Sequence, residues 1–196
     1  MDVTGIILAG GKSSRMGAEK GLQELCGKPL IHYAIEALSG LCNTIIISSS
    51  SEAYHSLGYK VVADVIPGIG PMGGIYSTLQ QSKTEKNLIL SCDLPFASTE
   101  LMSYILENSK GYKVAVPWLG EQHYEPLCGF YHLSILAQIN TFIENNNYKL
   151  PDLFNEININ KLVINTKQDF YQEDLFLNVN SKHDLATAEN LMRNRK

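Results

Sequence analysis

The sequence predicts an α/β fold in which a mainly parallel β-sheet is covered by helices on both faces. Short apolar runs rich in β-branched residues alternate along the chain with amphipathic stretches, which is the pattern of consecutive strand–helix–strand units. The chain has 196 residues, of which 44% are hydrophobic, so it can bury the core of one domain. We therefore expect residues 1–196 to form a single domain.

The first part of the chain carries the most regular pattern. A buried strand is expected over residues 3–9, which are mostly apolar and end at Gly10. After Pro29, apolar residues recur at helical spacing as far as Leu41, and residues 44–47 form the next apolar β-branched run. Further strands are expected at residues 61–63, 88–90 and 114–116, with helices at about 51–57, 73–82 and 98–108.

Beyond Pro117 the pattern is less regular. We expect strands over residues 124–131, 161–164 and 176–179, a helix over residues 133–144 and a loop at residues 145–147. The last helix has a better-defined start, because Ser181 and Asp184 fit a capping box. In that motif the hydroxyl and the carboxylate satisfy free backbone amides at the beginning of the helix.

Composition excludes two classes of partner. The chain has 16 Lys and Arg residues against 20 Asp and Glu residues, a net charge of −4, and neither sign forms a long block. Proteins that wrap duplex nucleic acid or bind a membrane surface need a basic face to neutralise phosphates. We therefore expect no nucleic acid and no membrane as partners, whereas small ligands remain open.

Cysteine usage and hydropathy point to a cytoplasmic protein. The four cysteines are widely spaced, with no Cys-x-x-Cys pair and no Cys/His cluster of the kind that a structural zinc needs. Residues 1–9 carry no basic segment of a signal peptide, and no apolar run approaches the ~18 residues of a membrane span.

A glycine-rich, basic loop follows the first predicted strand. Residues 8–17 read LAGGKSSRMG, and Gly10 and Gly11 let backbone amides approach an anion closely. Three cations lie in or next to this loop: Lys12, Arg15 and Lys20. Because ligands of open parallel sheets bind at the carboxyl ends of strands, the loop predicts a polyphosphate site. A glycine turn with solvated surface charges is the alternative interpretation.

Two common phosphate-binding patterns do not fit these residues. A Walker loop needs Gly, four residues and then Gly-Lys-Ser/Thr, but Gly11 intrudes between Gly10 and Lys12. The Rossmann pattern Gly-x-Gly-x-x-Gly is absent.

A carboxylate follows a strand that we expect to be central. Asp93 lies in the sequence CDLP, directly after the apolar residues 88–90. At that position it is well placed to hold Mg²⁺, which prefers oxygen ligands and bridges to substrate phosphates. The alternative is that Asp93 caps the helix near Ser98 or forms a turn with Pro95.

Two further segments are candidates for ligand contact. Asp64 precedes the Gly/Pro-rich residues 67–75, whose rigid backbone can present amides and carbonyls to a base, or can simply be a structural loop. Asn178 and Asn180 lie two residues apart on an expected strand, so their amides point to one side. Ligand contact and an ordinary polar edge strand both explain that pair.

Five segments of the chain resemble, in order, the motifs of the molybdenum cofactor guanylyltransferases. They are LAGGxSxRMGxEK (8–20), GPMGGI (70–75), CDLP (92–95), EPL (125–127) and FxNVN (176–180). The resemblance runs from residue 5 to about residue 189, and the first motif alone marks the wider nucleotidyltransferase group. It implies a three-layer α/β/α Rossmann-like nucleotidyltransferase fold and transfer of GMP from GTP to the terminal phosphate of molybdopterin, with release of pyrophosphate.

The resemblance also implies roles for individual residues. Asp93 would bind nucleotide and Mg²⁺ as the cofactor, and Lys20 would face the triphosphate. In the mechanism that we expect, Arg15 joins them in offsetting charge on the phosphates. The implied nucleotide contacts are Leu8, Ala9, Gly10, Gly11, Lys20 and Asp64, and we assign Asn178 and Asn180 to the pterin side. Three positions depart from the usual pattern: Glu19 in place of Asp, Met72 in place of Leu, and Ser48 where some relatives have Asn.

The implied mechanism is in-line attack by the molybdopterin phosphate on the α-phosphorus of GTP, with no covalent enzyme intermediate. Catalysis then consists mainly of positioning and charge neutralisation. The expected partners are GTP, molybdopterin and, in transient contact, proteins that deliver or accept the cofactor. The alternatives are a cytidylyltransferase acting on molybdopterin or a sugar phosphate, and a nucleotide-binding regulator without turnover.

Overall fold

A seven-stranded, mainly parallel sheet forms the centre of the protein. The computed structural model describes residues 2–10, 19–120 and 124–195. Its strands are β1 (Val3–Leu8), β2 (Glu24–Leu25), β3 (Lys28–Pro29), β4 (Thr44–Ser48), β5 (Lys60–Val62), β6 (Lys86–Ser91), β7 (Val114–Trp118), β8 (Cys128–His132) and β9 (Ile159–Val163). The sheet has the order β5-β4-β1-β6-β8-β7-β9, and β2 and β3 form a separate hairpin. Only β8 runs antiparallel to its neighbours in the sheet.

Helices cover both faces of this sheet. They are α1 (Leu30–Ser39), α2 (Pro71–Gln81), α3 (Thr99–Glu107), α4 (Leu136–Glu144), α5 (Leu150–Glu156) and α6 (Lys182–Asn194). Ile7 of β1 packs in a core with α1 and α3, whereas its neighbour Ile6 packs in a second core with α2, α4 and α5. The three-layer α/β/α prediction is therefore confirmed. Among the described helices, none is long and apolar enough to cross a bilayer.

Most predicted elements of the first 116 residues are found, with small shifts in their bounds. Glu52–Leu57 is a 3-10 helix rather than an α-helix. The predicted strand over residues 124–131 is divided, because Tyr124 makes only an isolated bridge to Trp118 before a turn that leads into β8. The hairpin of β2 and β3 and the short helix α5 were not predicted.

The strand predicted over residues 176–179 is wrong. Residue 176 ends a turn, and the residues after it form an irregular segment that lies outside the sheet. The Val179 N–H donates to the backbone carbonyl of Asp93 at 2.9 Å, so this segment is held by a loop rather than by a neighbouring strand. Val179 is fully buried in a third apolar cluster with Ala188 of α6 and Leu25 of the hairpin.

The predicted capping box at the start of α6 is confirmed. The Ser181 hydroxyl accepts the Asp184 N–H at 3.2 Å. The Asp184 carboxylate accepts the N–H of Asn180 at 2.9 Å, and such backbone hydrogen bonds lower the pKa of this carboxyl. The cap therefore fixes the backbone of Asn180 relative to α6.

A buried polar cluster fixes the pairing of β6 with its antiparallel neighbour β8. Asn87 has no exposed surface; its carbonyl accepts the Ser82 hydroxyl at 2.5 Å, and its amide donates to the Tyr131 carbonyl at 3.2 Å. Asn87 and Tyr131 are also register partners in the sheet. Because buried polar groups are costly when unpaired, this cluster favours one register.

We expect Asn87→Ala to lower the free energy of unfolding by about 1–3 kcal/mol, because it removes the buried partner of the Ser82 hydroxyl. Urea denaturation measures the change. Thr44→Ala, at an exposed position of β4 in the same sheet, is the control and should change it by less than about 0.5 kcal/mol. Equal effects of the two substitutions would contradict a role for the cluster.

Candidate active site

The carboxyl ends of four parallel strands meet at one edge of the sheet, and the start of β8 joins them because β8 runs the opposite way. Backbone hydrogen bonds tie this edge together. The Ala9 N–H donates to the Ser48 carbonyl at 2.9 Å, and the Cys92 N–H donates to the Leu8 carbonyl at 3.1 Å. The Ser91 N–H donates to the Leu127 carbonyl at 2.8 Å. The described residues at the ends of β1, β4 and β6 therefore lie side by side, with Leu127 next to the end of β6 just before β8.

Lys20 meets Asp93 and Asn180 at this edge. The Lys20 Nζ donates to the Asp93 Oδ2 at 2.5 Å and also to the Asn180 side-chain carbonyl. The side chains of Lys20 and Asp93 are only 21% and 13% exposed, so the ion pair is shielded from water. Three segments that are far apart in sequence, those of Lys20, Asp93 and Asn180, thus meet at the ammonium group of Lys20.

Asp93 keeps an unused oxygen. Its Oδ1 is buried and has no hydrogen-bond partner among the residues that the structure describes. Ser98, not Asp93, caps α3 by accepting the Leu101 N–H at 3.2 Å, so the helix-capping alternative for Asp93 is wrong. A buried oxygen without a partner is costly, which favours a ligand or metal ion at this atom.

Glu125 is a functional candidate that our assignment of individual residues missed. Its half-buried carboxyl is hydrogen-bonded to the Asn178 side chain and lies in the field of Asp93. Burial, followed by the negative charge of Asp93, raises the pKa of Glu125 to about 7, and the bond from Asn178 opposes the shift. The only signal in the sequence was its place in the EPL motif. We call Lys20, Asp93, Glu125, Asn178 and Asn180 the charged cluster.

Asp64 forms a second part of the site. It follows β5, and its half-buried carboxyl is hydrogen-bonded to the Ser48 side chain at the end of β4. Burial raises the pKa of Asp64, and the bond to Ser48 opposes that shift. A Cβ at Gly74 would lie 2.6 Å from the Ser48 Oγ, and one at Gly73 would lie 3.1 Å from the Asp64 Oδ2. These two glycines therefore let the start of α2 approach Ser48 and Asp64.

Leu8, Ala9 and Gly10, predicted to contact nucleotide, lie at the end of β1 between these two parts. In strand order β5 and β6 are three steps apart, so the strands that precede Asp64 and Asp93 are separated by about 14 Å at ~4.8 Å per step. Gly11 and Arg15, also predicted to be site residues, lie outside the described residues. The arrangement suits an elongated ligand that has its anionic end at Lys20.

The raised pKa of Glu125 makes stability depend on pH. A carboxyl favoured in its neutral form by the fold contributes stability that is present below its ordinary pKa of ~4.3 and is lost as the pH rises through about 7. In the presence of EDTA, we expect the thermal midpoint of Glu125→Gln to rise relative to the unsubstituted protein between pH 5 and pH 8. Glu24→Gln, at an exposed position of β2, is the control. The same relative rise in the control would contradict the assignment to Glu125.

Comparison with known proteins agrees with this architecture. Residues 5–160 match the family model of the MobA-like NTP transferase domain. A probable molybdenum cofactor guanylyltransferase of Flavobacterium johnsoniae is 37% identical over 183 residues, covering 93% of this chain and 94% of the relative. A molybdenum cofactor guanylyltransferase of Yersinia pestis is 30% identical over 196 residues, covering 98% of this chain and 97% of the relative.

The fold has a solved counterpart. The crystal structure of molybdopterin-guanine dinucleotide biosynthesis protein A from Archaeoglobus fulgidus superimposes with a TM-score of 0.82 at 23% identity, covering 97% of this chain and 99% of that one. Motif order, family match and near full-length identity agree, and the chain therefore belongs to the MobA-like NTP transferase family.

Proposed function

We propose that this protein transfers GMP from GTP to the terminal phosphate of molybdopterin, releasing pyrophosphate and forming the molybdopterin guanine dinucleotide. The observation that carries the proposal is the contact of Lys20 with Asp93 and Asn180 at the carboxyl edge of the sheet. It joins a cation, an acid with an unused oxygen and an amide in one place. The names of the relatives from Flavobacterium johnsoniae and Yersinia pestis support the same reaction.

The donor set fits Mg²⁺. In the described part of the chain no cluster of three or more His, Cys, Asp or Glu side chains forms a complete metal cage. Mg²⁺ does not need one, since it binds proteins through one or two carboxylates and keeps waters and substrate phosphates as its other ligands. Asp93 would hold the ion through its unpartnered Oδ1, and the bound ion would neutralise charge on the phosphates.

Lys20 is the main cationic group that the described residues offer to the triphosphate. In the ligand-free protein its charge is matched by Asp93, so the ammonium is held in place before the nucleotide arrives. Phosphate oxygens then add to its ligands and replace the contact with the neutral amide of Asn180. We propose that Arg15 acts on the same phosphates.

At the opposite end of the site, the nucleoside is proposed to contact the end of β1 and Asp64. Gly10 and Gly11 would contribute backbone amides, and Leu8 and Ala9 would pack against the nucleoside. The Asp64 carboxylate can accept N–H or O–H groups of the base or the ribose. The rigid approach of α2 at Gly73 and Gly74 would limit how far the base can move.

Asn178 and Asn180 are proposed to act where the pterin phosphate meets GTP. Asn180 contacts Lys20 and Asn178 interacts with Glu125, so both amides face the charged side chains of the cluster, while Val179 between them points into the core. The attacking phosphate is already ionised, so the step needs orientation more than a general base. We further propose that the chain acts as one domain in the cytoplasm, in transient contact with proteins that deliver or accept the cofactor.

With molybdopterin and Mg²⁺ supplied, we expect pyrophosphate release from GTP to exceed release from CTP, ATP or UTP at least tenfold. The motif set and the rigid segment at Asp64 favour one base. A coupled pyrophosphate assay with the four nucleotides in parallel measures this preference. A preference for CTP would instead support a cytidylyltransferase, and nucleotide binding without release would support a regulator.

Asp93→Asn is expected to lower turnover by roughly a hundredfold or more, because it keeps the shape of the side chain but removes its charge. The fold should survive, since the Asn carbonyl can still accept from the Lys20 ammonium and Asp93 caps no helix. Asp169→Asn, at an exposed loop position, is the matched control and should leave turnover unchanged. Near-normal turnover of Asp93→Asn with an unchanged Mg²⁺ dependence would remove Asp93 from the catalytic site.

A further inference from the structure

Tyr54 is a buried residue close to the site that the proposed reaction does not use. It belongs to the 3-10 helix Glu52–Leu57, which follows β4, and its side chain has no exposed surface. Most of its ring packs in the core formed with α1 and α3. A phenylalanine would supply that packing equally well, so the hydroxyl must be explained separately.

The Tyr54 hydroxyl binds the backbone on the carboxyl side of Lys20. The Gly21 N–H donates to this hydroxyl at 3.2 Å, across 33 residues of sequence. Lys20–Leu22 forms a single 3-10 turn, in which the Leu22 N–H donates to the Glu19 carbonyl. The Gly21 amide lies at the start of this turn, where backbone N–H groups have no partner inside the helix. Tyr54 supplies that partner from the core.

The same hydroxyl also interacts with the residue before Lys20. The Glu19 carboxylate lies close enough to the phenol to act on its pKa. Burial is the main cause that raises the pKa of Tyr54, and the negative charge of Glu19 adds to it, so the phenol remains protonated and able to donate. One buried oxygen therefore interacts with the two residues that flank Lys20.

Gly21 shows how close this contact is. A Cβ at position 21 would lie 2.8 Å from the Tyr54 hydroxyl and 3.3 Å from the Cys92 sulfur. Real Cβ atoms are essentially never found at the first of these distances, so a side chain at position 21 would push the turn away from the core. Gly21 and the Tyr54 hydroxyl together determine how closely the turn Lys20–Leu22 packs against the core.

We propose that Tyr54 is a positioning residue that holds the backbone of Lys20 so that its ammonium meets Asp93 and Asn180. A lysine side chain has four rotatable bonds, so the place of Nζ is defined only when its backbone is fixed as well. Cys92, which contributes to the same contact, directly precedes Asp93. The turn that carries Lys20 and the loop that carries Asp93 therefore meet the core at the same place, next to Tyr54.

Tyr54→Phe tests this role first without any ligand. Loss of the hydroxyl should loosen the turn, so the Lys20 amine should react several-fold faster with an acylating reagent, as followed by mass spectrometry of the labelled peptide. The Gly21 amide should also exchange its hydrogen faster. Tyr33→Phe is the matched control, because the Tyr33 hydroxyl donates to the Leu25 carbonyl at 2.7 Å, away from Lys20. Unchanged labelling and exchange in Tyr54→Phe would overturn the proposal.

A second arm uses nucleotide binding and rests on the proposed function. Tyr54→Phe should weaken GTP binding by about 3- to 10-fold, the loss of roughly one hydrogen bond, and should leave GMP binding unchanged. In a Lys20→Ala background, Tyr54→Phe should have no further effect on GTP. Equal losses for GTP and GMP, or additive losses in the double variant, would show a general structural role and overturn the proposal.

The two arms separate the failure of this proposal from failure of the proposed function. If Lys20→Ala alone leaves GTP affinity unchanged while Tyr54→Phe still speeds labelling of Lys20, the positioning role stands and the triphosphate role is wrong. Gly21→Ala gives an independent check with Tyr54 intact. It should reproduce the faster labelling, and it should disturb the turn less in a Tyr54→Phe background, where the 2.8 Å conflict with the hydroxyl is gone.

Discussion

The ion pair of Lys20 with Asp93 is the interaction on which the rest of the site depends. A shielded pair of charges is stable only when the remaining oxygens and protons of both groups find partners. Lys20 has a further partner in Asn180, but the Asp93 Oδ1 has none among the described residues. The carboxylate therefore offers this oxygen to a ligand. A phosphate-bound cation would supply a partner for this oxygen. Binding would then remove the free-energy penalty of a buried oxygen without a partner.

The surrounding structure keeps that pair together by fixing the backbone at each of its members. The Asp93 carbonyl accepts the Val179 N–H, and Cys92 before it donates to the end of β1. Gly21, after Lys20, donates to Tyr54 in the core. Asn180 is fixed by the cap of α6. Each constraint acts on backbone next to the functional side chain, which leaves the side chains themselves free to exchange partners with a ligand.

The sequence was sufficient where one local rule decides the structure. Asp93 follows a short apolar strand, and Ser181 with Asp184 signals a helix start, so both could be placed without knowledge of distant contacts. The alternation of Asn178, Val179 and Asn180 also predicted that the two amides lie on one side, although the segment is not a strand. The segment is held instead by a hydrogen bond from Val179 to Asp93, and no local pattern encodes that bond.

Glu125 and Tyr54 could not be assigned because their roles depend on strand direction and on contacts far apart in sequence. Had β8 run parallel to β6, residues 125–127 would lie at the opposite edge of the sheet, away from Asp93. The apolar pattern of β8 fits a parallel and an antiparallel strand equally well, so hydropathy does not predict the direction of β8. In the sequence, Tyr54 has the pattern of an ordinary core residue. The function of its hydroxyl becomes visible only in the folded chain, where it accepts the N–H of Gly21, 33 residues away in sequence.

The helix α6 lies far along the chain from the glycine-rich loop, and yet it contributes to the charged cluster by holding Asn180. Ala188 of α6 packs with Val179 and Leu25, which places the helix against the hairpin that follows Lys20. Its cap then holds Asn180, whose side chain returns to Lys20. The segments that carry Lys20 and Asn180 are thus linked twice. Leu25 and Val179 pack in one apolar cluster, and the Lys20 ammonium donates to the Asn180 side chain. Displacing α6 would separate Asn180 from the Lys20 ammonium, so the helix helps to assemble the charged cluster.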